Sequence, residues 1–140
     1  MILAMKPSSH PNIRPKAFTL LEMSIVLLVL LSLISTGLFV SRKTDEWKLG
    51  REASEILRSV YSAQRMYLAD NPTVSVTTIT SALLLPYMPN SPAQMPTVKS
   101  LTGTSLAIII NVSPPVINAG SGVTYDPSGS SKDSLWDVGE

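Results

Sequence analysis

The spacing of apolar residues divides the chain into three regions, and the first is an almost unbroken apolar run. Residues 18–40 are 23 positions in which Glu22 is the one charged side chain. As a helix at about 1.5 Å per residue, the run is about 35 Å long. That length matches a hydrocarbon core of about 30 Å. We therefore predict that residues 18–41 form a membrane-spanning helix.

The second region changes to the three-and-four spacing of a helix with one buried face. Its large or apolar positions are Ala53, Ile56, Leu57, Val60, Ala63, Tyr67 and Leu68. Asn71-Pro72 is a stop signal for a helix. We predict that residues 42–70 continue the membrane helix as an amphipathic stem. Trp47 follows the apolar run closely and is expected at the membrane interface.

The third region, residues 71–140, has the composition of a small β-rich domain. The run SLAIIINV at 105–112 is rich in β-branched residues and predicts a strand. Residues 116–117 and 123–125 flank a glycine-containing turn and predict a hairpin. Residues 135–138 predict a last short strand, with Trp136 in the core.

Proline and threonine punctuate the start of this third region. Residues 78–85 predict a short helix, and the proline-rich residues 86–96 predict an irregular loop. We expect Tyr87, Met88 and Met95 to pack over the core. The predicted fold class is therefore α+β: a long N-terminal helix, half membrane and half amphipathic, on a small three- or four-stranded antiparallel sheet.

Charge changes the interpretation of the N-terminus. Residues 1–17 hold Lys6, Arg14 and Lys16 and no acid, a basic leader before the apolar run. A secretory signal has a shorter apolar core followed by a small-residue cleavage site. Here a charged stretch beginning with Arg42 and Lys43 follows instead, so a retained anchor is the better interpretation. Basic residues flank the span on both sides, and we favour a cytoplasmic leader.

The residue inventory excludes several function classes. The chain has no cysteine, so disulfides, thiol chemistry and Cys-ligated zinc are excluded. His10, the single histidine, lies in the leader, and no Ser-His-acid set would survive its removal. We therefore expect no enzymatic activity and no cofactor.

The charged residues of the third region bear on nucleic-acid and metal binding. After Asp70 only Lys99 and Lys132 are basic, so a nucleic-acid-binding surface is not expected. Three carboxylates bracket a Gly-Ser loop: Asp126, Asp133 and Asp137. Oxygen ligands at such spacing are compatible with calcium, but the regular twelve-residue calcium loop is absent. Plain turn chemistry is the favoured interpretation, with calcium kept as the lesser alternative.

Glu22 is a candidate functional residue, because placing a carboxylate in hydrocarbon costs free energy. If the chain is cut between Ala17 and Phe18, a new α-amine stands four residues from Glu22, about one helical turn away on the same face. The amine of the same or a neighbouring chain would neutralise the carboxylate and fix the register between helices. The alternative is that Glu22 lies among the lipid headgroups and is solvated there.

These residues resemble a known family. The run KAFTLLE at 16–22, placed between a basic leader and an apolar helix, resembles the processing site of type IV pilins and type II secretion pseudopilins. The resemblance covers residues 16–40. The chain departs from the usual pattern at Ala17, where the family usually has glycine, and in having no proline within the span.

The resemblance implies a processing pathway and an assembly. It implies cleavage between Ala17 and Phe18 by a prepilin peptidase, methylation of Phe18 by the same enzyme, and contact of Glu22 with the terminal amine of an adjacent subunit. It implies a single-pass protein of the bacterial inner membrane, with its C-terminal domain outside the cytoplasm, that joins other pilin or pseudopilin subunits in a filament. The alternative is a monomeric membrane-anchored binding module outside the cytoplasm with an uncleaved anchor.

Overall fold

One helix dominates the structure, a computed structural model that describes residues 19–139. Helix α1 runs over Leu20–Asp70 without interruption for 51 residues. The predicted continuation of the apolar helix into the amphipathic stem is thus confirmed. Asn71 ends the helix, and its backbone N and side-chain Nδ2 both donate to Tyr67 O at 3.0 Å. Contacts divide the chain into two units, the first ending at Phe39 and the second beginning at Val40.

Short helical turns follow the long helix. A 3₁₀ turn at Val76–Thr78, helix α2 at Ser81–Leu84 and a second 3₁₀ turn at Leu85–Tyr87 replace the single short helix predicted for 78–85. Proline lies in the second 3₁₀ turn, where its missing N–H and fixed φ are tolerated. The prediction located the helical segment and missed its division.

The strands are short and form two antiparallel sheets. They are β1 (Val98–Lys99), β2 (Ser105–Leu106), β3 (Ile108–Ile109), β4 (Val116–Gly120) and β5 (Val123–Thr124). Strands β1 and β2 pair with each other, and β3, β4 and β5 form a three-stranded sheet in that order. The predicted hairpin is confirmed as β4–β5, with Asn118 opposite Thr124. The layout is α+β, but the single three- or four-stranded sheet was wrong.

The strand predicted for 105–112 is divided at Ala107, because its two parts have different partners. Strand β2 pairs with β1, whereas β3 pairs with β4. After β3, two backbone carbonyls accept hydrogen bonds from a side chain of α1 and not from a neighbouring strand. Gln64 Nε2 donates to Ile110 O at 2.9 Å and to Val112 O at 2.8 Å. A side-chain amide of the helix therefore replaces a neighbouring strand as the partner of these carbonyls.

The last strand, predicted for 135–138, was wrong, although Trp136 lies in the core as expected. Ser134 and Trp136 have φ of 57° and 65°, which a β-strand does not allow. The Trp136 backbone N donates instead to Gly50 O on α1, at 3.1 Å. The Trp136 side chain is 4% exposed and meets the Tyr125 ring edge-to-face at 5.3 Å. The segment follows the helix rather than a sheet.

The core of the second unit comprises two apolar clusters on one face of α1. One surrounds Leu57 and contains Val98, Ile117 and Trp136; the other surrounds Val60 and contains Leu84 and Met88. The predicted buried positions hold at Ala53, Leu57, Val60, Ala63 and Tyr67, whereas Ile56 and Leu68 are only partly buried. Gly50, Ser54 and Gln64 are buried in the same face and were not predicted.

The predicted lid over the core is confirmed. Met88 is buried in the cluster around Val60, and Tyr87 and Met95 pack against it. The Tyr87 ring meets Tyr67 edge-to-face at 5.7 Å, and its Oη donates to Asp70 Oδ2 at 3.0 Å. That hydrogen bond to Asp70 raises the pKa of Tyr87, because ionisation would lose the bond and set two negative charges side by side.

Candidate functional site

Glu22 lies at the start of α1 and closes a reciprocal hydrogen-bonded cap with Thr19. Glu22 Oε2 accepts from Thr19 N at 2.9 Å and from Thr19 Oγ1 at 3.2 Å. In return, the backbone N of Glu22 donates to Thr19 Oγ1 at 3.2 Å. This is the capping box of the Ser/Thr-x-x-Glu/Gln signature, in which two helix-end donors are satisfied. The signature is present as Thr19-Leu-Leu-Glu22 and was missed in the sequence analysis.

The cap has an electrostatic consequence. It holds a carboxylate at the N-terminal end of the helix, where the unpaired backbone N–H groups of the first turn favour negative charge. Within residues 19–139, both side-chain contacts of Glu22 fall on Oε2. Among residues 19–139, the second carboxylate oxygen, Oε1, accepts no hydrogen bond. Ala17 and Phe18, the predicted processing residues, lie outside the described residues.

The described part of the first unit, residues 19–39, presents an exposed apolar surface. Every residue from 19 to 45 is exposed, and Leu20 and Leu21 reach 89% and 71%. In the part of the chain that the structure describes, α1 is the one helix long and apolar enough to cross a membrane. Apolar surface in water costs about 25 cal/mol per Å² relative to burial. A helix with this surface could span a membrane.

Two hydroxyl residues of this segment, Ser24 and Thr36, are compatible with lipid. Ser24 Oγ donates to Leu20 O at 2.8 Å, and Thr36 Oγ1 donates to Ser32 O at 2.9 Å. Each hydroxyl thus satisfies its donor within the helix, which removes most of the penalty for placing it in hydrocarbon. Gly37 has open space on its side-chain side, since a Cβ there would meet nothing within 4 Å.

The three candidate calcium ligands have separate roles. Asp126 Oδ1 accepts from Ser128 N at 3.1 Å and from Ser128 Oγ at 2.6 Å, and Asp133 Oδ1 accepts from Leu135 N at 3.0 Å. These are turn-stabilising contacts of the Asx type. Across residues 19–139 no group of three or more acidic or histidine side chains could hold a metal ion. Asp126 and Asp133 therefore both stabilise turns.

Asp137 differs from the other two carboxylates. Both of its side-chain oxygens are enclosed, and neither has a hydrogen bond of ordinary geometry from residues 19–139. It lines a cavity of about 290 Å³ with Pro115, Thr124 and Asp126. Burial raises the pKa of Asp137, and the charges of Asp133 and Asp126 raise it further. The Gly139 backbone N–H and the Arg58 guanidinium oppose this rise only in part.

A neutral side chain at position 137 is therefore expected to stabilise the protein near pH 7. Because the folded protein raises the pKa of Asp137, the charged form is disfavoured, and stability falls as pH rises through that pKa. We expect Asp137→Asn to raise Tm by about 1–4 °C at pH 7. Below about pH 3, where Asp is largely protonated in both states, the gain should vanish. Thermal unfolding followed by near-UV circular dichroism in detergent measures both.

The matched control for this experiment is Asp133→Asn, which removes the same charge from an exposed turn. It should change Tm by less than Asp137→Asn does at pH 7. An Asp137→Asn variant that is less stable than wild type at neutral pH would show that the ionised carboxylate is needed where it is.

Comparisons of this chain with protein-family models, with curated proteins and with solved structures found no match. The candidate site comprises a capped carboxylate at a helix start, an exposed apolar helix half, and a stem half that carries two small sheets.

Proposed function

We propose that this protein is a structural subunit of a type IV pilus or of a type II secretion-like pseudopilus. In this proposal it assembles through its N-terminal helix after the leader is removed before Phe18 and the new N-terminus is methylated. The observation that carries the proposal is the KAFTLLE run at 16–22, which leads directly into a single 51-residue helix. Among the described residues, the first half of that helix has an exposed apolar surface, and the second half supports the small sheets.

The apolar half supplies the assembly surface in this proposal. Before assembly it lies in the inner membrane, and in the filament it packs against the same segment of neighbouring subunits. Small residues such as Ser24 and Gly37 permit close approach of helices. The exchange of lipid for neighbouring helices keeps the apolar surface covered in both states, so the subunit can leave the membrane without exposing it to water.

In this proposal, Glu22 fixes the register between the helices of neighbouring subunits. In the proposal, its Oε1 accepts from the methylated amine of Phe18 of an adjacent subunit while the cap to Thr19 holds Oε2. A charged carboxylate costs about 2.5–3.5 kcal/mol at the bilayer centre on insertion scales, and less near the end of the span, where Glu22 lies. Pairing with the ammonium group offsets that cost only when two subunits are correctly aligned, so correct register is favoured. The mechanism is assembly, and no catalytic turnover is proposed.

Cleavage of the leader distinguishes the proposed filament subunit from the alternative, a monomeric binding module with an uncleaved anchor. Co-expression with a prepilin peptidase should shorten the chain by the 17-residue leader, whereas an uncleaved anchor would keep its length. The control is Phe18→Asp with the same peptidase, and this variant should keep its full length. The substitution places a charged residue at the first mature position, where the apolar run begins. A full-length chain in the presence of a peptidase that cleaves its own substrate would contradict the proposal.

A further inference from the structure

A shallow groove lies along the outer face of α1 in the second unit, opposite the face that carries the two core clusters. Its volume is about 400 Å³. Its lining residues follow one another at three- and four-residue spacing, on one side of the helix: Arg58, Tyr61, Ser62, Arg65, Met66 and Ala69. The residues between them that face the core, such as Ala63 and Gln64, are fully buried. The groove is therefore a surface of the stem that the folded domain leaves uncovered.

The groove has the composition of a protein-binding surface. Met66 is 47% exposed, and the Arg65 guanidinium lies over the Tyr61 ring, 5.8 Å from its centroid. Arginine, tyrosine and methionine are enriched at protein interfaces. A guanidinium that already rests on an aromatic ring loses less conformational freedom when a carboxylate binds it. The side chains of this groove thus favour a protein partner that carries an acid.

The charges of the groove do not cancel. Its lining includes two arginines and no acid. The residues three and four positions from Arg65 along the helix are Tyr61, Ser62, Leu68 and Ala69. None of these can pair with the guanidinium as an ion. Within residues 19–139, neither Arg58 nor Arg65 forms a salt bridge, and Arg58 Nε donates to Val138 O at 2.8 Å. Arg65 is therefore open to a carboxylate from another molecule.

A complementary acidic patch, Glu52 and Glu55, lies on another side of the same helix. Both residues are exposed, and within residues 19–139 neither side chain forms a salt bridge or a hydrogen bond. The other cations at helical spacing from them have partners elsewhere: Lys48 pairs with Asp45 at 3.8 Å, and Arg51 lies over the Trp47 ring. Two like charges one helical turn apart repel each other. The patch thus favours a cation from outside the chain.

The acidic patch and the groove face in different directions. At about 3.6 residues per turn, Glu52 and Glu55 lie about 140° and 80° around the helix axis from Arg65. Along the axis they lie about 20 Å and 15 Å from it. These distances exclude an ion pair between the patch and Arg65 of the same straight helix. They leave both surfaces free to contact different neighbours.

We propose that the groove of one copy of this chain binds the Glu52–Glu55 patch of a second copy, with Arg65 pairing with these carboxylates. The proposal rests on the proposed function, in which the stems of neighbouring subunits run parallel. Each copy offers its groove to one neighbour and its acidic patch to another. Such a head-to-tail contact gives an open filament or a ring rather than a two-fold dimer.

Charge reversal in the full chain tests this contact, with filament incorporation relative to the membrane fraction as the readout. Arg65→Glu should lower incorporation by at least about ten-fold, because like charges then face each other across the contact. Adding Glu52→Arg and Glu55→Arg to the same chain should restore incorporation to about half of the wild-type level or more, because opposite charges face each other again.

The matched control is Lys99→Glu, which reverses the charge of an exposed side chain outside both surfaces. It should keep wild-type incorporation. Arg65→Glu should also leave the unfolding temperature of the second unit unchanged, because Arg65 is exposed and its replacement disturbs no core contact. A defect in Arg65→Glu then reflects the contact between copies and not the stability of the subunit.

Three outcomes would overturn the proposal. If Arg65→Glu enters filaments as well as wild type does, the contact is wrong while the proposed function stands. If Arg65→Glu is impaired and the reversed acids do not rescue it, the groove binds a different partner. If the wild-type chain forms no filaments with its own peptidase and assembly proteins, the proposed function fails and this contact fails with it.

Discussion

Replacing Glu22 with glutamine is expected to remove this protein from assembled filaments while leaving it in the membrane. Glutamine can still accept from Thr19 in the capping box, so the helix start is preserved. The charge is lost, and the ammonium group of a neighbouring Phe18 would be left unpaired in an apolar bundle. Removing one partner of a buried ion pair costs about 3–5 kcal/mol. At about 1.4 kcal/mol per factor of ten, incorporation should fall by roughly a hundred-fold or more.

A matched variant separates the charge of Glu22 from its capping role. Thr19→Val removes the hydroxyl that Glu22 N contacts, but it keeps the backbone N–H and the carboxylate. Loss of a capping hydroxyl costs about 1 kcal/mol. We therefore expect Thr19→Val to lower incorporation by less than about ten-fold. The readout is the amount of protein in sheared, sedimented filaments relative to the amount in the membrane fraction.

Greater filament incorporation of Glu22→Gln than of Thr19→Val would contradict the charge-pairing mechanism. Incorporation of Glu22→Gln at the wild-type level, with Thr19→Val impaired, would show that the carboxylate matters only as a helix cap. Wild-type incorporation of both variants would support the alternative that Glu22 is solvated among lipid headgroups.

Replacing Gly50 with valine is expected to cause the largest loss of stability in the second unit. Glycine inside a helix normally costs about 1 kcal/mol relative to alanine. Here it allows the chain around Trp136 to lie against α1. A Cβ at Gly50 would meet Trp136 Nε1 at 2.9 Å and Leu135 Cβ at 3.3 Å. The indole is 4% exposed and belongs to the core cluster around Leu57, so displacing it would disturb that packing.

The predicted effect of Gly50→Val follows from overpacking. Forcing extra atoms into a filled core costs about 1–3 kcal/mol. The change also strains the hydrogen bond from Trp136 N to Gly50 O. For a domain of this size, a loss of about 2 kcal/mol lowers Tm by about 8–16 °C. Thermal unfolding followed by tryptophan fluorescence measures it, because Trp136 reports on the contact itself.

Gly37→Val is the matched control in the same helix. Gly37 has open space around it, so the second unit should unfold at its wild-type temperature. If both variants shifted Tm equally, helix propensity rather than the Trp136 contact would explain the effect.

The helix could be predicted from the sequence because each half has a strong periodic signal. An unbroken apolar run and then a three-and-four spacing fix one continuous helix, and the stop at Asn71-Pro72 is local. The β4–β5 hairpin was also predictable, because its turn residues lie between two β-branched runs. In each case the information is contained within a few neighbouring residues.

The incorrect strand predictions share a physical cause: residues distant in sequence determine the backbone hydrogen bonds of these segments. The run at 105–112 has strand propensity throughout, yet Gln64 takes the carbonyls of Ile110 and Val112. Residues around Trp136 also favour a strand, but the chain bonds to Gly50 O of the helix. The local sequence around Gln64 or Gly50 does not predict these long-range hydrogen bonds. The Thr19–Glu22 cap was different, because its signature was present in the sequence.

The most direct test of the central claim is the intact mass of this protein in purified filaments. We predict a chain that begins at Phe18 and is about 14 Da heavier than the unmodified polypeptide, the mass of one methyl group replacing hydrogen. A fragment spectrum should place the methyl group on Phe18. Assembled protein that retains Met1 and the basic leader would contradict the account.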